Sequence, residues 1–200
     1  MSTSPRTQEA RREATRGALV AAARRLFVER GYAATGTPEL VAAAGLTRGA
    51  LYHHFEDKSD LLMAVAADMA VEVAEAVAKA AAAAPTADRS PLDALLAGSR
   101  AYFAAMAEGG RARVLLVDAP AVLSPAQLAL LDEAAGAAEL RLGLQACLRR
   151  GRKLPLDALT GLLAAAFDRA ARAVAEGEDP AAWTEAMDLL LKALAGELGR

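Results

Sequence analysis

Residues suited to molecular recognition are concentrated in one short stretch, GLTRGALYHHFEDK, at positions 45–58. An arginine side chain can donate two hydrogen bonds to guanine O6 and N7, and a glycine lets the backbone come close to a base or sugar. Hydroxyl, imidazole and ammonium groups donate to phosphate oxygens. We therefore predict a DNA-binding surface in which Arg48 reads a base and Gly49 allows close approach. Its phosphate donors are expected to be Thr47, Tyr52, His53, His54 and Lys58.

Metal and catalytic chemistry find little support in the same sequence. His53 and His54 are the only two histidines, and successive helical residues point about 100° apart, so this pair cannot chelate one ion. No glycine-rich phosphate loop, HExxH or GxSxG motif occurs. The single cysteine, Cys147, forms no internal disulfide and is expected to be a small buried side chain. We predict no metal, no cofactor and no enzymatic activity.

Two short helices joined by a glycine turn are expected to position the recognition residues. Thr37 is a suitable N-cap for the first, with Pro38 in its first turn, and Gly45 ends it. Thr47 is a suitable N-cap for the second, which runs to about His54. This order is the helix-turn-helix layout, whose second helix can enter a major groove.

Longer helices are predicted on both sides of this pair. One runs from about Gln8 to Arg30 and is ended by Gly31; the other is capped by Asp57 and runs to about Ala84. The apolar side chains of the first three helices form a small core. These are Leu19, Leu26, Phe27, Leu40, Val41, Leu46, Leu51 and Phe55.

Composition and charge agree with a helical protein that meets a polyanion at one end. Of the 200 residues, 54% are hydrophobic, and alanine, the best helix former, supplies much of that fraction. The net charge is −2, but residues 1–60 carry nine basic against seven acidic side chains. Local charge matters more than the total when the partner is a polyanion.

Residues 35–58, with the GLTRGALYHHFEDK core, resemble the DNA-binding segment of the TetR family of bacterial transcriptional regulators, and the resemblance covers about residues 8–62. It implies an all-α homodimer with an N-terminal three-helix helix-turn-helix domain, here residues 1–57. A larger helical domain for effector binding and dimerisation follows, here residues 58–200. The resemblance also implies that Thr35 and Thr37 contact phosphates. Pro38 replaces a polar residue of some members, so no base reading is expected there.

The C-terminal half is predicted to consist of further helices. They extend to about Glu108 and over 125–150, 156–176 and 180–198, with connections at 84–92, 118–125 and 151–155. The last two helices carry continuous apolar stripes that suit either a four-helix bundle between two subunits or the core of one subunit. The candidate interface residues are Leu159, Leu163, Ala166, Ala170, Trp183, Met187, Leu190, Leu191 and Leu194.

An effector cavity is a further expectation for this half. Aromatic and methionine side chains around an apolar space suit small molecules, although core packing explains the same residues equally well. The candidates are Arg100, Tyr102, Phe103, Met106, Leu115, Leu116 and Phe167. With 4% aromatic residues, an apolar ligand is expected.

Together these features predict a cytoplasmic regulator that binds a double-stranded DNA operator. The expected form is a homodimeric repressor released from a palindromic site by a small apolar effector, with no membrane partner. A helical interaction protein, or a non-specific DNA binder without effector control, is the alternative. Loss of base preference on removing Arg48 distinguishes them.

Overall fold

The computed structural model describes residues 5–83, 90–148 and 153–199, and within these ranges the regular structure is helical. The predicted connections at 84–92 and 151–155 lie partly outside the described residues. The α-helices are α1 Pro5–Arg30, α2 Thr37–Ala43, α3 Arg48–His54, α4 Lys58–Ala83, α5 Pro91–Ala107, α6 Arg111–Arg113, α7 Ala119–Val122, α8 Pro125–Asp132, α9 Ala138–Cys147, α10 Leu156–Ala175 and α11 Pro180–Leu198. Two π-helical segments, π1 Val114–Asp118 and π2 Glu133–Ala137, interrupt this series. The all-α fold class is confirmed.

The turn between α2 and α3 is a Schellman motif. Gly45 has φ +66°, a left-handed conformation that glycine adopts without a Cβ penalty. Its N–H donates to the Ala42 carbonyl at 3.1 Å, and the Leu46 N–H donates to the Val41 carbonyl at 2.9 Å. Leu46 and Val41 both pack on the adjoining core. The predicted glycine turn is therefore confirmed in its geometry.

The start of α2 differs from the prediction by one residue. Gly36, and not Thr37, occupies the N-cap position, and Thr37 begins the helix. Glu39 accepts a hydrogen bond from the Gly36 N–H at 2.9 Å and another from the Arg30 side chain. The Glu39 carboxylate therefore pairs with the N–H of the N-cap residue, and no side chain at the N-cap position accepts from the first turn.

Helix α4 begins at the predicted cap. The Asp57 carboxylate accepts from the Asp60 N–H at 2.8 Å, and the Asp60 carboxylate accepts from the Glu56 N–H at 3.1 Å. From there α4 is buried along one face, and its buried side chains are Leu61, Leu62, Val65, Ala66, Met69, Ala70 and Val73. All but the last belong to the same core as α1–α3.

That core crosses the boundary that the sequence suggests at residue 57. It joins Leu19, Phe27 and Leu40 of the first helices to α4, and it also contains Val114 and Leu131 of the C-terminal half. The division into residues 1–57 and 58–200 stays a prediction about function. In packing terms the N-terminal helices share their core with the rest of the chain.

The C-terminal half departs from the prediction at two points. The segment 118–125 is not a break throughout, because the chain remains helical across Pro120 and leaves the helix only at Leu123. The predicted helix over 125–150 is instead divided by π2, where Gly136 adopts φ +114°. Pro120 has no N–H to donate to the Leu116 carbonyl four residues earlier, and that carbonyl accepts from Arg172 instead. This replacement explains the first difference. The non-helical conformation of Gly136 interrupts the helix at π2, which explains the second difference.

The apolar stripes of α10 and α11 divide between the interior and the surface. Leu163, Ala170, Met187 and Leu191 are buried within the subunit, three of them in a core with Leu95 and Leu144. The prediction that these four form an intersubunit contact is wrong, because they are buried inside one subunit. Residues of α5 and α9 cover three of them, Leu163, Met187 and Leu191. The large exposed apolar side chains of α10 and α11 are Leu162, Leu189 and Leu190, with relative exposures of 71%, 61% and 46%. Leu190 belongs to the predicted interface set.

An ion cluster connects α1, α4 and α6. Nη1 and Nη2 of Arg24 each donate to the Glu72 carboxylate. Arg111 donates to the same carboxylate from Nε at 3.1 Å and from Nη2 at 2.8 Å. Arg111 also donates to the Ala105 carbonyl at 2.8 Å. The hydrogen bond from Arg24, and then that from Arg111, lower the pKa of Glu72 from 4.5 to about 2. The cluster joins the N-terminal helices to the C-terminal half by charge as well as by packing.

Replacement of Glu72 by Gln is expected to lower the free energy of unfolding at pH 7 by about 1 kcal/mol, since the pair is partly exposed to solvent. Because the folded pKa is depressed, this contribution is complete above pH 4.5 and is lost as the pH falls towards 2. Urea unfolding at pH 7 and pH 3 measures it. The exposed Glu75→Gln is the control. Equal losses for Glu72→Gln and Glu75→Gln would contradict this role.

Candidate DNA-binding surface and ligand cavity

The N-terminal end of α3 presents the residues that sequence reasoning selected. Thr47 is the N-cap, and its hydroxyl accepts from the Ala50 N–H at 3.2 Å. The Arg48 guanidinium lies 5.4 Å from the centre of the Tyr52 ring, which is 45% exposed. Hydrogen bonds to the side chains of Arg48 and Thr37 lower the pKa of the Tyr52 phenol. Arg48, Tyr52 and Thr37 therefore lie together on one open surface at the junction of α2 and α3.

Gly49 has no structural reason to be glycine. Its φ lies outside the left-handed region, and a Cβ there would find Thr47 Oγ1 at 3.8 Å as its nearest neighbour. An alanine would therefore fit the folded chain without strain. The missing side chain leaves space outside the protein, on the surface that carries Arg48.

The two histidines have different surroundings. His53 is exposed, whereas His54 is half-buried against α1. Desolvation lowers the pKa of His54, and the charges of His53, Arg12 and Arg16 lower it further. Arg16 stacks on the Phe55 ring with its guanidinium carbon 5.4 Å from the ring centre. Arg12 and Arg16 thus extend the positive surface onto α1. Sequence reasoning missed them because helical spacing on α1 does not show that they reach α3.

Thr35 requires a correction. Its side chain is 1% exposed, and its hydroxyl donates to the Gly31 carbonyl at 2.8 Å. The expectation that this hydroxyl contacts a phosphate is therefore wrong in the structure described. Thr35 instead closes the turn that follows α1.

Lys58 also has a different position from the one expected. Its ammonium group donates to the carbonyls of Tyr32 and Thr35, each at 2.9 Å, and lies 3.9 Å from the centre of the Tyr32 ring. These contacts hold the ammonium group against the turn after α1, so Lys58 links that turn to α4. A phosphate contact by Lys58 stays a prediction.

A cavity of about 490 Å³ lies between α4, α5, α9 and α10, and a second of about 210 Å³ adjoins it towards π1. Tyr102, Asp132, Ala135 and Asp168 line both. Of the predicted effector residues, Tyr102 and Phe167 line the larger cavity, and Tyr102, Met106, Leu115 and Leu116 line the smaller.

Two predicted cavity residues lie elsewhere. Arg100 is exposed and pairs with Asp188, with its Nη2 2.6 Å from the carboxylate. Phe103 lines neither cavity and packs its ring against Tyr102 and Phe167 at centroid distances of 5.8 and 5.5 Å. Both follow from the helical period, which places them off the face of α5 that carries Leu95, Ser99 and Tyr102.

The polar groups of the larger cavity cluster on one side. The Tyr102 hydroxyl donates to Asp168 Oδ1 at 2.7 Å. Burial, followed by the charge of Asp168, raises the pKa of Tyr102 far above its usual range. The pKa of Asp168 is raised by burial and, more weakly, by Asp132, against lowering contributions from Tyr102 and Arg172. Sequence reasoning missed Asp132 and Asp168, since a single carboxylate in a helix is ordinarily a surface residue.

A turn-linked helix pair with an arginine, a bare glycine and a tyrosine on its open surface, joined to a helical half that contains cavities, defines a helix-turn-helix transcriptional regulator. Residues 19–65 match the family model described as bacterial regulatory proteins, tetR family. Residues 92–198 match the model described as tetracyclin repressor-like, C-terminal domain. The chain belongs to the TetR family, whose members are DNA-binding transcriptional regulators and not enzymes.

Some similar proteins match this chain over nearly its whole length, and others match it over about a third. A TetR-family transcriptional regulator from Pectobacterium atrosepticum is 34% identical, with a TM-score of 0.69 over 94% of this chain and 96% of that one. The fatty acid degradation regulator FadR from Bacillus halodurans shares the fold, with a TM-score of 0.72, 16% identity and 96% coverage of both chains. The transcriptional repressor AcnR from Corynebacterium glutamicum is 40% identical over 65 residues, which are 32% of this chain and 35% of AcnR. The match thus spans about a third of that relative.

Among residues 5–83, 90–148 and 153–199, no helix is both long and apolar enough to cross a membrane. Across the same part of the chain, no group of three or more His, Cys, Asp or Glu side chains could hold a metal ion.

Replacement of Gly49 by Ala is expected to separate DNA binding from stability. Alanine favours a helix over glycine by up to about 1 kcal/mol, so thermal unfolding should occur at the same or a higher temperature. Operator affinity should fall at least about tenfold, because the added methyl group fills the space left for DNA. Gly17→Ala on α1, where a Cβ would meet nothing within 4 Å, is the control. Unchanged affinity in Gly49→Ala would show that DNA does not approach this position.

Proposed function

We propose that the protein is a homodimeric repressor that binds a palindromic DNA operator through α3 and is released by a small molecule in the larger cavity. The observation that supports this most directly is the open surface formed by Arg48, Gly49 and Tyr52, in which Gly49 is glycine without any internal need. The regulator is expected to act in the cytoplasm, where its DNA lies.

The proposed reading of DNA assigns separate roles to neighbouring residues. Arg48 is placed to donate to a guanine edge, and Tyr52 and Thr37 are placed to donate to phosphates beside it. His53 and the basic side chains of Arg12 and Arg16 extend the positive surface along the backbone. Because base contacts specify sequence whereas phosphate contacts only position the protein, Arg48 is expected to carry most of the specificity in α3.

A dimer gives this small surface enough specificity. One recognition helix contacts few base pairs, and two of them bound to half-sites multiply the discrimination. The exposed apolar face of α10 and α11 supports such a dimer. It includes Leu162, Leu189 and Leu190, with the small exposed residues Ala165, Ala186 and Ala193 beside them. Exposed apolar side chains that are grouped on one surface mark interaction sites.

Control by a ligand requires a physical connection between the cavities and α3. Leu115 and Leu116 of π1 line the smaller cavity, and Arg172 donates to the Leu116 carbonyl. At the other end of π1, Asp118 accepts from the Tyr32 N–H at 3.2 Å. A ligand that favours one arrangement of this segment can therefore change the position of α1–α3, provided that its affinity differs between the two states.

Replacement of Arg48 by Ala tests the proposed reading of DNA. It should cost about 1–3 kcal/mol of binding free energy and relax the preference at one base position. Electrophoretic shift with the DNA upstream of the gene, followed by selection from a randomised pool, measures both. Arg141→Ala, a surface arginine on α9, is the control. Absence of a specific complex for the wild-type chain at moderate salt, or equal weakening on every sequence, would argue for a non-specific binder.

Replacement of Leu162 and Leu190 together by Glu is expected to give a monomer. Two buried charges per subunit without partners oppose association strongly. Sedimentation velocity should report half the wild-type mass, with circular dichroism unchanged and operator affinity lost. Leu130→Glu, at another exposed leucine, should leave the dimer intact. A dimer that survives the double replacement would place the interface elsewhere.

A further inference from the structure

We propose that the larger cavity takes a lipophilic organic cation, an apolar molecule that carries one ammonium group, as its ligand. This inference rests on the proposed function, in which that cavity holds the effector. It differs from the sequence-based expectation of a purely apolar ligand. The inference depends on three kinds of group in the cavity lining. They are the carboxylates, a hydroxyl without a hydrogen-bond partner, and the aromatic rings.

The charge of the cavity lining is one-sided. Asp132, Glu139 and Asp168 line the larger cavity, and no lysine, arginine or histidine does so among the residues described there. Arg172, whose charge lowers the pKa of Asp168, lines only the smaller cavity and donates to a backbone carbonyl. An anionic wall in an otherwise apolar space favours a cationic ligand, because opposite charges attract more strongly in a medium of low dielectric constant.

Asp168 is the carboxylate that gains most from such a ligand. Its one hydrogen bond among the described residues comes from the Tyr102 hydroxyl at 2.7 Å, and it forms no ion pair there. Burial raises its pKa, which means that the charged form is poorly solvated at this position. An ammonium group beside Asp168 would supply the missing positive charge. Asp132 lines the same space and is more exposed than Asp168, and partial desolvation raises its pKa as well.

A second, independent observation identifies the same wall as a binding site. Ser99 is 4% exposed, and its Oγ has no hydrogen-bond partner in the part of the chain that the structure describes. It lines the larger cavity on the same helix as Tyr102, three residues away. A buried hydroxyl without a partner costs free energy unless something pairs with it. A polar group on the ligand can satisfy this hydroxyl while its cation lies at Asp168.

The aromatic rings fit the rest of this ligand. Tyr102 and Phe167 line the cavity with their centroids 5.3 Å apart and their planes tilted by 65°. The faces of such rings attract alkylammonium groups. The remaining lining is small and apolar, from Val77, Ala94, Gly98 and Ala164 among others. A cavity of about 490 Å³ lies within the ordinary range for sites that enclose small organic ligands.

A matched pair of probes tests the inference. (4-Hydroxyphenyl)trimethylammonium and 4-tert-butylphenol have the same shape and differ only in the positive charge. Titration calorimetry with the full chain should show the cation binding about tenfold more tightly than the neutral compound. Asp168→Asn should remove most of this preference, because the amide oxygen still accepts from Tyr102 but carries no charge. Asp132→Asn should reduce it independently, and the exposed Asp157→Asn should leave it unchanged.

Equal affinities for the two probes, or no binding of the cation to folded wild-type protein, would overturn the inference. A preference for the cation that persists in both Asp168→Asn and Asp132→Asn would overturn it as well. Operator binding is measured on the same samples. Intact operator binding with no preference between the probes removes the ligand class and leaves the proposed function, whereas loss of specific operator binding in the wild-type protein removes the proposed function itself.

Discussion

The fold depends on helix α4, which packs against α1–α3 and against the C-terminal half at the same time. Its buried face packs against α1–α3 near Leu61 and Leu62 and against the C-terminal half near Val73. Because the core around Val65 and Met69 is continuous, the recognition helix has no separate core on which to turn. Close-packed interiors transmit displacement instead of absorbing it. The orientation of α3 is therefore tied to the packing of the C-terminal half.

A second connection limits the same movement. The turn before α6 lies directly on α1, since a Cβ on Gly110 would be 2.6 Å from Val28. Beyond it, Asp118 accepts from the Tyr32 backbone, and Lys58 donates to the carbonyl of the same Tyr32. Tyr32 is thus fixed from α4 and from π1 together. The ion cluster at Glu72 adds electrostatic contacts among α1, α4 and α6.

Sequence reasoning succeeded where the signal is local. The Schellman turn at Gly45, the N-cap at Thr47 and the open position at Gly49 follow from residue type within a few positions, and all lie at the surface. It failed where the neighbour is distant in the chain. Thr35 turned inward, because its partner carbonyls belong to Leu26 in the last turns of α1 and to Gly31 directly after that helix. The apolar faces of α10 and α11 were identified correctly as apolar, but their periodicity does not show which edge α5 and α9 cover.

The two cavities share part of their lining, and the smaller one reaches π1, which contacts Tyr32 through Asp118. Asp168 and Tyr102 stand between the cavities, and Arg172 lies one helical turn beyond Asp168 with its guanidinium on π1. The field of Arg172 lowers the pKa of Asp168, so a ligand cation beside that carboxylate and Arg172 repel each other. A π-helical segment, whose hydrogen bonds are less regular than those of an α-helix, is the element best able to rearrange in response. Since Asp118 of π1 accepts from the Tyr32 N–H, the proposed effector control would make the charge of the ligand and the position of α3 parts of the same equilibrium.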